Sequence, residues 1–245
     1  TRSHPCSTDH RIPAGSRRRH RNAATVAAGC ETRGVFWILI VATLVVAAAD
    51  WVAVGLGRRP AEYVLKPLTM VVLIAAAIVM EDADPTAAQW LVVAGLVASL
   101  AGDVFLMLEE RYFVMGLGSF LVAHLLYIGA FITMGLNGFG FVLGAAAVAV
   151  LIRAVGVKIV VGATETDEGL GLPVSLYVLV ISLMVAFAAG TGRWWAIGGA
   201  LLFYLSDALI GWSRFVKEFP GQRVAIMPTY HLGQVGIVLG LMATT

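Results

Sequence analysis

Two aspartates stand inside long apolar stretches of the sequence, and they are the residues best suited to chemistry. Asp103 follows Gly102 and Asp207 follows Ser206, each within a run of mostly aliphatic residues. An ionisable group near the middle of a membrane span costs about 2.5–3.5 kcal/mol on insertion scales, so such groups mark polar pockets, ligand sites or proton pathways. The two aspartates are therefore the first candidates for a functional site.

Other polar side chains fall at similar positions within apolar runs. Tyr127 lies three residues after His124, so the two share a helical face. Gln234 lies four residues after Tyr230 and shares a face with it in the same way. Such residues predict one pocket for a molecule with a polar head and an apolar tail. The predicted substrate-binding residues are Lys66, His124, Tyr127, Tyr204, Tyr230 and Gln234.

Each of these residues also has a purely structural interpretation. Asp103 could pair with Arg111 at the membrane surface, and either aspartate could hydrogen-bond a neighbouring helix. Lys66 could extend to the lipid headgroups, and His124 could bond across helices. These alternatives stay open at the level of sequence.

The composition indicates the elements that must position these residues. Of 245 residues, 59% are hydrophobic and 13% are charged, against about 25% charged in ordinary soluble domains. Long apolar runs of about 20 residues predict membrane-spanning helices rather than a soluble fold or a β-barrel. We predict an all-α polytopic protein with eight transmembrane helices, near residues 34–56, 62–80, 87–108, 113–136, 139–162, 171–189, 193–216 and 223–243.

Residues 1–33 form a polar, arginine-rich leader that we predict to be mostly disordered, so the transmembrane domain is predicted over residues 34–245. A signal peptide is the alternative for the first apolar run, which is however too long for one. Basic residues cluster in the links after helices 1, 3, 5 and 7, which places those links in the cytoplasm. The leader arginines favour the opposite orientation, so the orientation stays open.

A weak internal similarity links the two halves of the chain. The stretch around Asp103, followed by His124, resembles the stretch around Asp207, followed by His231. Four spans separate the two copies, and an even number preserves direction, so this predicts two parallel four-helix halves. Chance similarity is the alternative. The many glycines, including Gly236, predict close helix packing.

Several function classes lack support in the sequence. There is no metalloprotease-type spacing, serine-hydrolase elbow, P-loop or dinucleotide fingerprint. Two cysteines provide no disulfide framework. The leader arginines account for the small positive net charge, so no nucleic-acid partner is implied. We predict neither a metal nor another cofactor.

The sequence resembles the YhhN family of membrane proteins, whose animal members include the lysoplasmalogenases. The resemblance covers all eight spans and excludes the leader. The last family motif is usually Tyr-Tyr-x-Ala-Gln, whereas here His231 follows Tyr230, which weakens a general catalytic role for this histidine. The motifs that carry the resemblance are residues 66–70, 102–107, 120–127 and 199–207, together with Tyr230 and Gln234.

The resemblance implies hydrolysis of the vinyl ether bond of lysoplasmalogens to a fatty aldehyde and a glycerophospho-alcohol. The paired acids of the family map onto Asp103 and Asp207, one protonated to act as the acid and one ionised to stabilise the cation and activate water. Lys66 is predicted to hold the headgroup phosphate. The expected partners are an ether-lipid substrate and membrane lipids, and the expected location is a bacterial cell membrane.

Two other functions remain open from the sequence. A non-hydrolytic lipid or small-molecule transporter would also use a polar site within the membrane, but would release no aldehyde. In a binding or regulatory membrane protein, the acids would only hold helices together. The oligomeric state and the headgroup specificity are not indicated by the sequence.

Overall fold

The computed structural model describes residues 17–81, 83–108 and 110–242. Eight helices account for nearly all of these residues, in agreement with the predicted all-α fold. Seven of the eight are long and apolar enough to cross a membrane. The helices are α1 Arg17–Gly55, α2 Arg59–Val79, α3 Thr86–Met107, α4 Phe113–Thr133, α5 Gly138–Thr166, α6 Glu168–Gly190, α7 Trp194–Phe215 and α8 Gln222–Leu239.

Part of the predicted leader, residues 1–16, lies outside the described residues. Helix α1 begins at Arg17 and therefore extends into the stretch for which we expected no regular structure. Alanine and arginine are strong helix formers, so this stretch has helical propensity although it lacks apolar periodicity. The apolar part of α1, Thr32–Gly55, matches the first predicted span.

Local sequence signals explain several helix boundaries. The side chains of Asn137 and Asp167 accept hydrogen bonds from the backbone N–H groups of Phe139 (2.9 Å) and Gly169 (2.8 Å), which caps α5 and α6. Gly221 precedes α8 with φ of 77°, a left-handed conformation that favours glycine. Within α5, residues Ile152–Gly156 form a π-helical segment. The predicted fifth span, residues 139–162, is therefore one helix with an irregular turn in its middle.

Seven helices form a ring in which neighbours contact one another in the order α1, α2, α3, α4, α6, α7 and α8, with α8 returning to α1. Helix α5 lies outside the ring against α6 and α7. Helix α8 also contacts α2 and α3, and most of its residues from Met227 to Leu239 are buried. Because its neighbours shield α8 from lipid, this helix can carry more polar residues than the other seven.

Glycines allow α7 and α8 to approach very closely. A Cβ atom added at Gly199 would lie 2.5 Å from the backbone nitrogen of Ile237, and one added at Gly233 would lie 2.8 Å from that of Phe203. Gly236 likewise faces the backbone of Gly199. The prediction that the glycines serve close helix packing is therefore confirmed for this pair of helices.

Arg193 fixes the end of the bundle opposite the acids. Its guanidinium is largely buried and donates to the carbonyl oxygens of Gly240 and Leu241 at 3.2 Å and of Met242 at 3.3 Å. It also donates to the carbonyl of Asp84 at 2.8 Å. A cation at the C-terminus of a helix satisfies carbonyls that have no helical partner and interacts favourably with the helix dipole. Arg193 therefore ties α8 to the link between α2 and α3.

Candidate functional site

The structure brings Asp103 and Asp207 into one cavity of about 980 Å³. Helices α3 and α7 supply the acids. The cavity extends to the end of the bundle that carries the links after helices 1, 3, 5 and 7. Lys66 of α2 and Tyr230 of α8 also line it. Two acids, a lysine and a tyrosine from four helices thus share one polar space within the bundle.

Asp103 is the more enclosed of the two acids. Its side chain is 1% exposed, and its Oδ1 lies 2.9 Å from the Nζ atom of Lys66. The hydroxyl of Tyr230 donates to Oδ2 at 2.6 Å. The ammonium group of Lys66 also lies 5.5 Å from the centre of the Tyr230 ring, within the range of a cation–π contact. A buried ammonium group and a phenol hydroxyl thus both contact this carboxyl.

Asp207 has no ammonium group beside it among the described residues and is more exposed than Asp103. The hydroxyl of Tyr177 donates to its Oδ2, and its side chain is 10% exposed. The Nε2 atom of His124 lies 3.7 Å from the same oxygen, which is beyond hydrogen-bond distance. The two acids therefore have different surroundings, an ammonium ion at Asp103 and a phenol beside a histidine at Asp207.

The contacts of the acids repeat between the two halves of the chain. Asp103 in α3 is contacted from α2 and α8, and Asp207 in α7 is contacted from α6 and α4. Four helices separate the equivalent elements in each case, as the sequence similarity predicts. In this pattern His124 corresponds to Tyr230 and not to His231, which has no contact with either acid among the contacts described.

The remaining predicted binding residues lie away from the polar cavity. The hydroxyl of Tyr127 donates to Oε1 of Gln234 at 2.7 Å and lies 3.4 Å from the hydroxyl of Ser99. These three side chains are buried and line none of the cavities described, so they connect α3, α4 and α8 beneath the site. Tyr204 lines a second, apolar cavity instead.

The second cavity is a narrow apolar cleft of about 60 Å³ between α4, α5, α6 and α7. Asp207 is its only acidic residue among those that the structure describes. The cleft extends along α7 from Tyr204 to Phe215, which is roughly 16 Å at 1.5 Å per residue. Asp207 and Phe120 line both this cleft and the polar cavity. Asp207 therefore lies where a polar space and an apolar space meet.

The mouth of the polar cavity is rich in charge. Arg223 pairs with Glu62 there. Arg59 and Lys217 are exposed and lie at the ends of links, where an anionic group from the membrane surface can reach them. The charged residues around the cavity are Arg59, Lys66, Arg214, Lys217 and Arg223, together with Glu62, Asp103, Asp207 and Glu218.

Sequence reasoning missed Tyr177 and a second polar cluster. A tyrosine inside an apolar span was the only signal for Tyr177, and that signal did not indicate its partner. In the cluster, the indole N–H of Trp51 donates to Nδ1 of His231 at 3.0 Å. The adjacent Asp50 is fully buried, and neither of its oxygens has a hydrogen-bond partner among the described residues.

Among the described residues there is no group of three or more histidine, cysteine or acidic side chains that could hold a metal ion. The chemistry that the site itself offers is proton transfer by carboxyl groups, with tyrosine hydroxyls and one ammonium group that orient them.

Comparisons with known proteins agree on one family. The model of the YhhN family matches residues 61–241. The chain is 34% identical over 181 residues to a lysoplasmalogenase of Mycobacterium bovis, which covers 70% of this chain and 67% of the relative. No solved structure matches.

Two mammalian relatives are similar over shorter stretches. The chain is 31% identical over 156 residues to mouse lysoplasmalogenase TMEM86B, which is 62% of this chain and 64% of the relative. It is 34% identical over 149 residues to the human protein of the same name, which is 60% of this chain and 61% of that relative. The matched region thus spans less than two thirds of the length of these two relatives.

Proposed function

The chain belongs to the YhhN family, and from that premise and the geometry of the two acids we propose that it hydrolyses the vinyl ether bond of lysoplasmalogen-type lipids. The products are a fatty aldehyde and a glycerophospho-alcohol. Similarity to proteins named lysoplasmalogenase supports the reaction class. The single observation that carries the proposal is the position of Asp207 at the junction of the polar cavity and the apolar cleft.

This junction suits the substrate because the bond to be cleaved joins its polar and apolar parts. The vinyl ether oxygen belongs to the glycerol side, and the double bond begins the hydrocarbon chain. With the headgroup in the polar cavity and the first carbon atoms of the chain in the cleft, the double bond would lie beside Asp207.

We assign the role of general acid to Asp207. A vinyl ether is broken by proton transfer to its β-carbon, which lies on the chain side of the oxygen. Asp207 is the acid that borders the apolar cleft, whereas Asp103 lines the polar cavity alone. Proton transfer produces an oxocarbenium ion whose positive charge is shared by the adjacent carbon and the ether oxygen.

We assign the role of carboxylate and general base to Asp103. Lys66 and Tyr230 hold this group as an anion on the polar side, where it stabilises the cation and accepts a proton from the attacking water. Water adds to the carbon next to oxygen, and the resulting hemiacetal loses the glycerophospho-alcohol to give the aldehyde. The hydroxyl proton of the hemiacetal leaves with the ether oxygen as the alcohol, and the proton that Asp103 accepted from water returns to Asp207. One vinyl ether and one water thus yield one aldehyde and one alcohol.

This arrangement changes the role that we propose for Lys66. The sequence predicted a phosphate ligand, but the ammonium group is paired with Asp103 inside the bundle. We propose that Arg59 and Lys217, at the mouth of the cavity, bind the headgroup phosphate instead. The proposed location in a bacterial cell membrane stays a prediction.

The test is aldehyde release by the purified protein from a lysoplasmalogen, with the ester-linked analogue as the substrate control. Wild type should release aldehyde from the vinyl ether alone. In D₂O the aldehyde should carry one deuterium on the carbon next to the carbonyl, because that carbon receives the proton. Asp103→Asn and Asp207→Asn should each reduce turnover by at least about 100-fold, the scale of general acid–base catalysis.

Asp84→Asn is the control, since Asp84 is an aspartate at the opposite end of the bundle that lines none of the cavities described. It should retain most of the activity. No aldehyde from folded wild type would overturn the proposed reaction, and transport of the lipid between leaflets would then be measured. Full activity in either of the two site variants would overturn the assigned roles.

A further inference from the structure

The apolar cleft adjoins a second apolar space on the outer surface of the bundle. A shallow groove of about 260 Å³ lies on the outside of α5 and α6. Two residues, Gly156 and Val178, line both this groove and the cleft that ends at Asp207. Gly156 and Val178 thus lie between the outer groove and the cleft that Asp207 lines.

The outer groove faces lipid and is apolar. Val157, Val161 and Leu179 expose 43%, 49% and 50% of their surface there. Its serine, Ser175, donates its hydroxyl to the carbonyl of Gly171 within the same helix at 2.7 Å. A hydrocarbon chain in the groove would therefore meet no polar group that lacks a partner.

The backbone at the junction is irregular. Gly156 ends the π-helical segment Ile152–Gly156, and π-helical turns are rare and frequent at functional sites. A Cβ atom added at Gly156 would lie 3.0 Å from Cγ1 of Val178, closer than most such contacts. Gly156 thus packs directly against Val178, and a larger side chain at this position would thicken the barrier between the groove and the cleft.

We propose that Gly156 and Val178 form a lateral portal through which the hydrocarbon chain of an ether lipid passes between the bilayer and Asp207. This inference rests on the proposed function. The substrate places its headgroup in the polar cavity while its chain extends through the portal toward the bilayer. The fatty aldehyde, which is as apolar as the chain, leaves by the same route.

Hydrophobic transfer energy supports a lateral route. A chain that reached the cleft through the polar cavity would first be exposed to water and charged side chains, at about 0.8 kcal/mol per methylene group. A chain that enters sideways stays in apolar surroundings throughout. The two routes predict different dependence on chain length, and a substitution at the portal distinguishes them.

The kinetic test compares two vinyl ether substrates, one with a long chain and one with a short, water-soluble chain. Gly156→Leu narrows the portal and should lower kcat/KM for the long-chain substrate at least tenfold, while kcat/KM for the short-chain substrate changes less than twofold. The smaller change Gly156→Ala should also lower kcat/KM for the long-chain substrate alone, but by less. Val178→Ala should leave kcat/KM for the long-chain substrate unchanged or raise it. Val150→Leu is the control, because Val150 is 67% exposed on the same helix and lines none of these spaces.

A second test does not require hydrolysis. A lysophospholipid with a diazirine midway along its chain is photolysed with the protein in detergent, and the labelled peptides are mapped by mass spectrometry. Labels should fall on α5 near Gly156 and on α6 near Val178, and Gly156→Leu should reduce them at least fivefold. Thermal unfolding shows whether each variant is folded. If Gly156→Leu is misfolded, the labelling of Gly156→Ala is compared with that of wild type instead.

The outcomes separate the portal from the proposed reaction. Aldehyde release with labels elsewhere, or an equal effect of Gly156→Leu on both substrates, would overturn the portal and leave the hydrolase intact. Labels at the portal without aldehyde release would support a lipid entry site and overturn the hydrolase.

Discussion

The ion pair between Lys66 and Asp103 provides a quantitative test of the site. The perturbation is Lys66→Met, which keeps the length of the side chain and removes its charge. The lysine side chain is 8% exposed and the aspartate 1%, so water screens this pair very little. The substitution leaves the carboxylate of Asp103 with the hydroxyl of Tyr230 as its remaining described partner.

The expected cost follows from burial. Removal of one partner of a buried ion pair destabilises a protein by about 3–5 kcal/mol, because the other charge stays behind without compensation. For a chain of this size 1 kcal/mol corresponds to a shift of about 2–4 °C in Tm, so we expect Tm to fall by roughly 6–20 °C. Asp103→Asn should cost a similar amount, since it leaves the ammonium group buried.

The assay is a double-mutant cycle by thermal unfolding in detergent. The variant with both Lys66→Met and Asp103→Asn carries no buried charge at this position. It should be more stable than the sum of the two single effects predicts, by about 2–3 kcal/mol. Lys158→Met is the control for the loss of a lysine at an exposed position, and it should shift Tm by no more than about 2 °C.

Additive effects would refute this reasoning. If the double variant loses the sum of the two single losses within about 0.5 kcal/mol, Lys66 and Asp103 do not stabilise each other. Lys66 would then return to the role of a headgroup ligand, and its substitution would raise KM with little change in Tm.

Three further predictions concern the packing around the site. Arg193→Met should lower Tm by several degrees without a change in kcat, because it releases four carbonyl oxygens far from the acids. Tyr177→Phe should lower kcat about 10- to 100-fold with a small change in Tm, since it removes the hydroxyl that orients Asp207. Gly199→Ala should destabilise the protein strongly in thermal unfolding, whereas Gly198→Ala should be neutral or stabilising, because an added Cβ meets backbone of α8 only at the first position.

Opposite results would each contradict a specific contact. An unchanged Tm in the arginine variant would mean that the carbonyl contacts contribute nothing, and unchanged kcat in the tyrosine variant would remove that hydroxyl from the catalytic arrangement. Equal effects of alanine at the two adjacent glycines would contradict the close approach of α7 and α8.

The sequence determined the number of helices and the depth of the acids. Apolar runs of about 20 residues separated by short polar links can satisfy their backbone hydrogen bonds in a membrane only as helices. The count of links then places Asp103 and Asp207 toward the same end of the bundle, because direction alternates from one helix to the next. These features depend on composition and on position along the chain alone.

The tertiary structure determines which side chains come into contact. Tyr177 is 30 residues from Asp207, and Tyr230 is 127 residues from Asp103. Spacing along a helix gives the depth of a residue, but not the rotation of the helix about its axis or the identity of its neighbours. The sequence therefore could not predict that Lys66 pairs with an acid, or that Tyr127 and Gln234 bond to each other below the site.

The burial of α8 and the apolar cleft also depend on the tertiary structure. The polar residues of α8 are compatible with a membrane because α1, α2, α3 and α7 pack against this helix, and that arrangement depends on glycine contacts such as that between Gly199 and Gly233. The cleft forms where α5 packs outside the ring. A cavity is the space that several helices leave between them, so no single segment of the sequence encodes it.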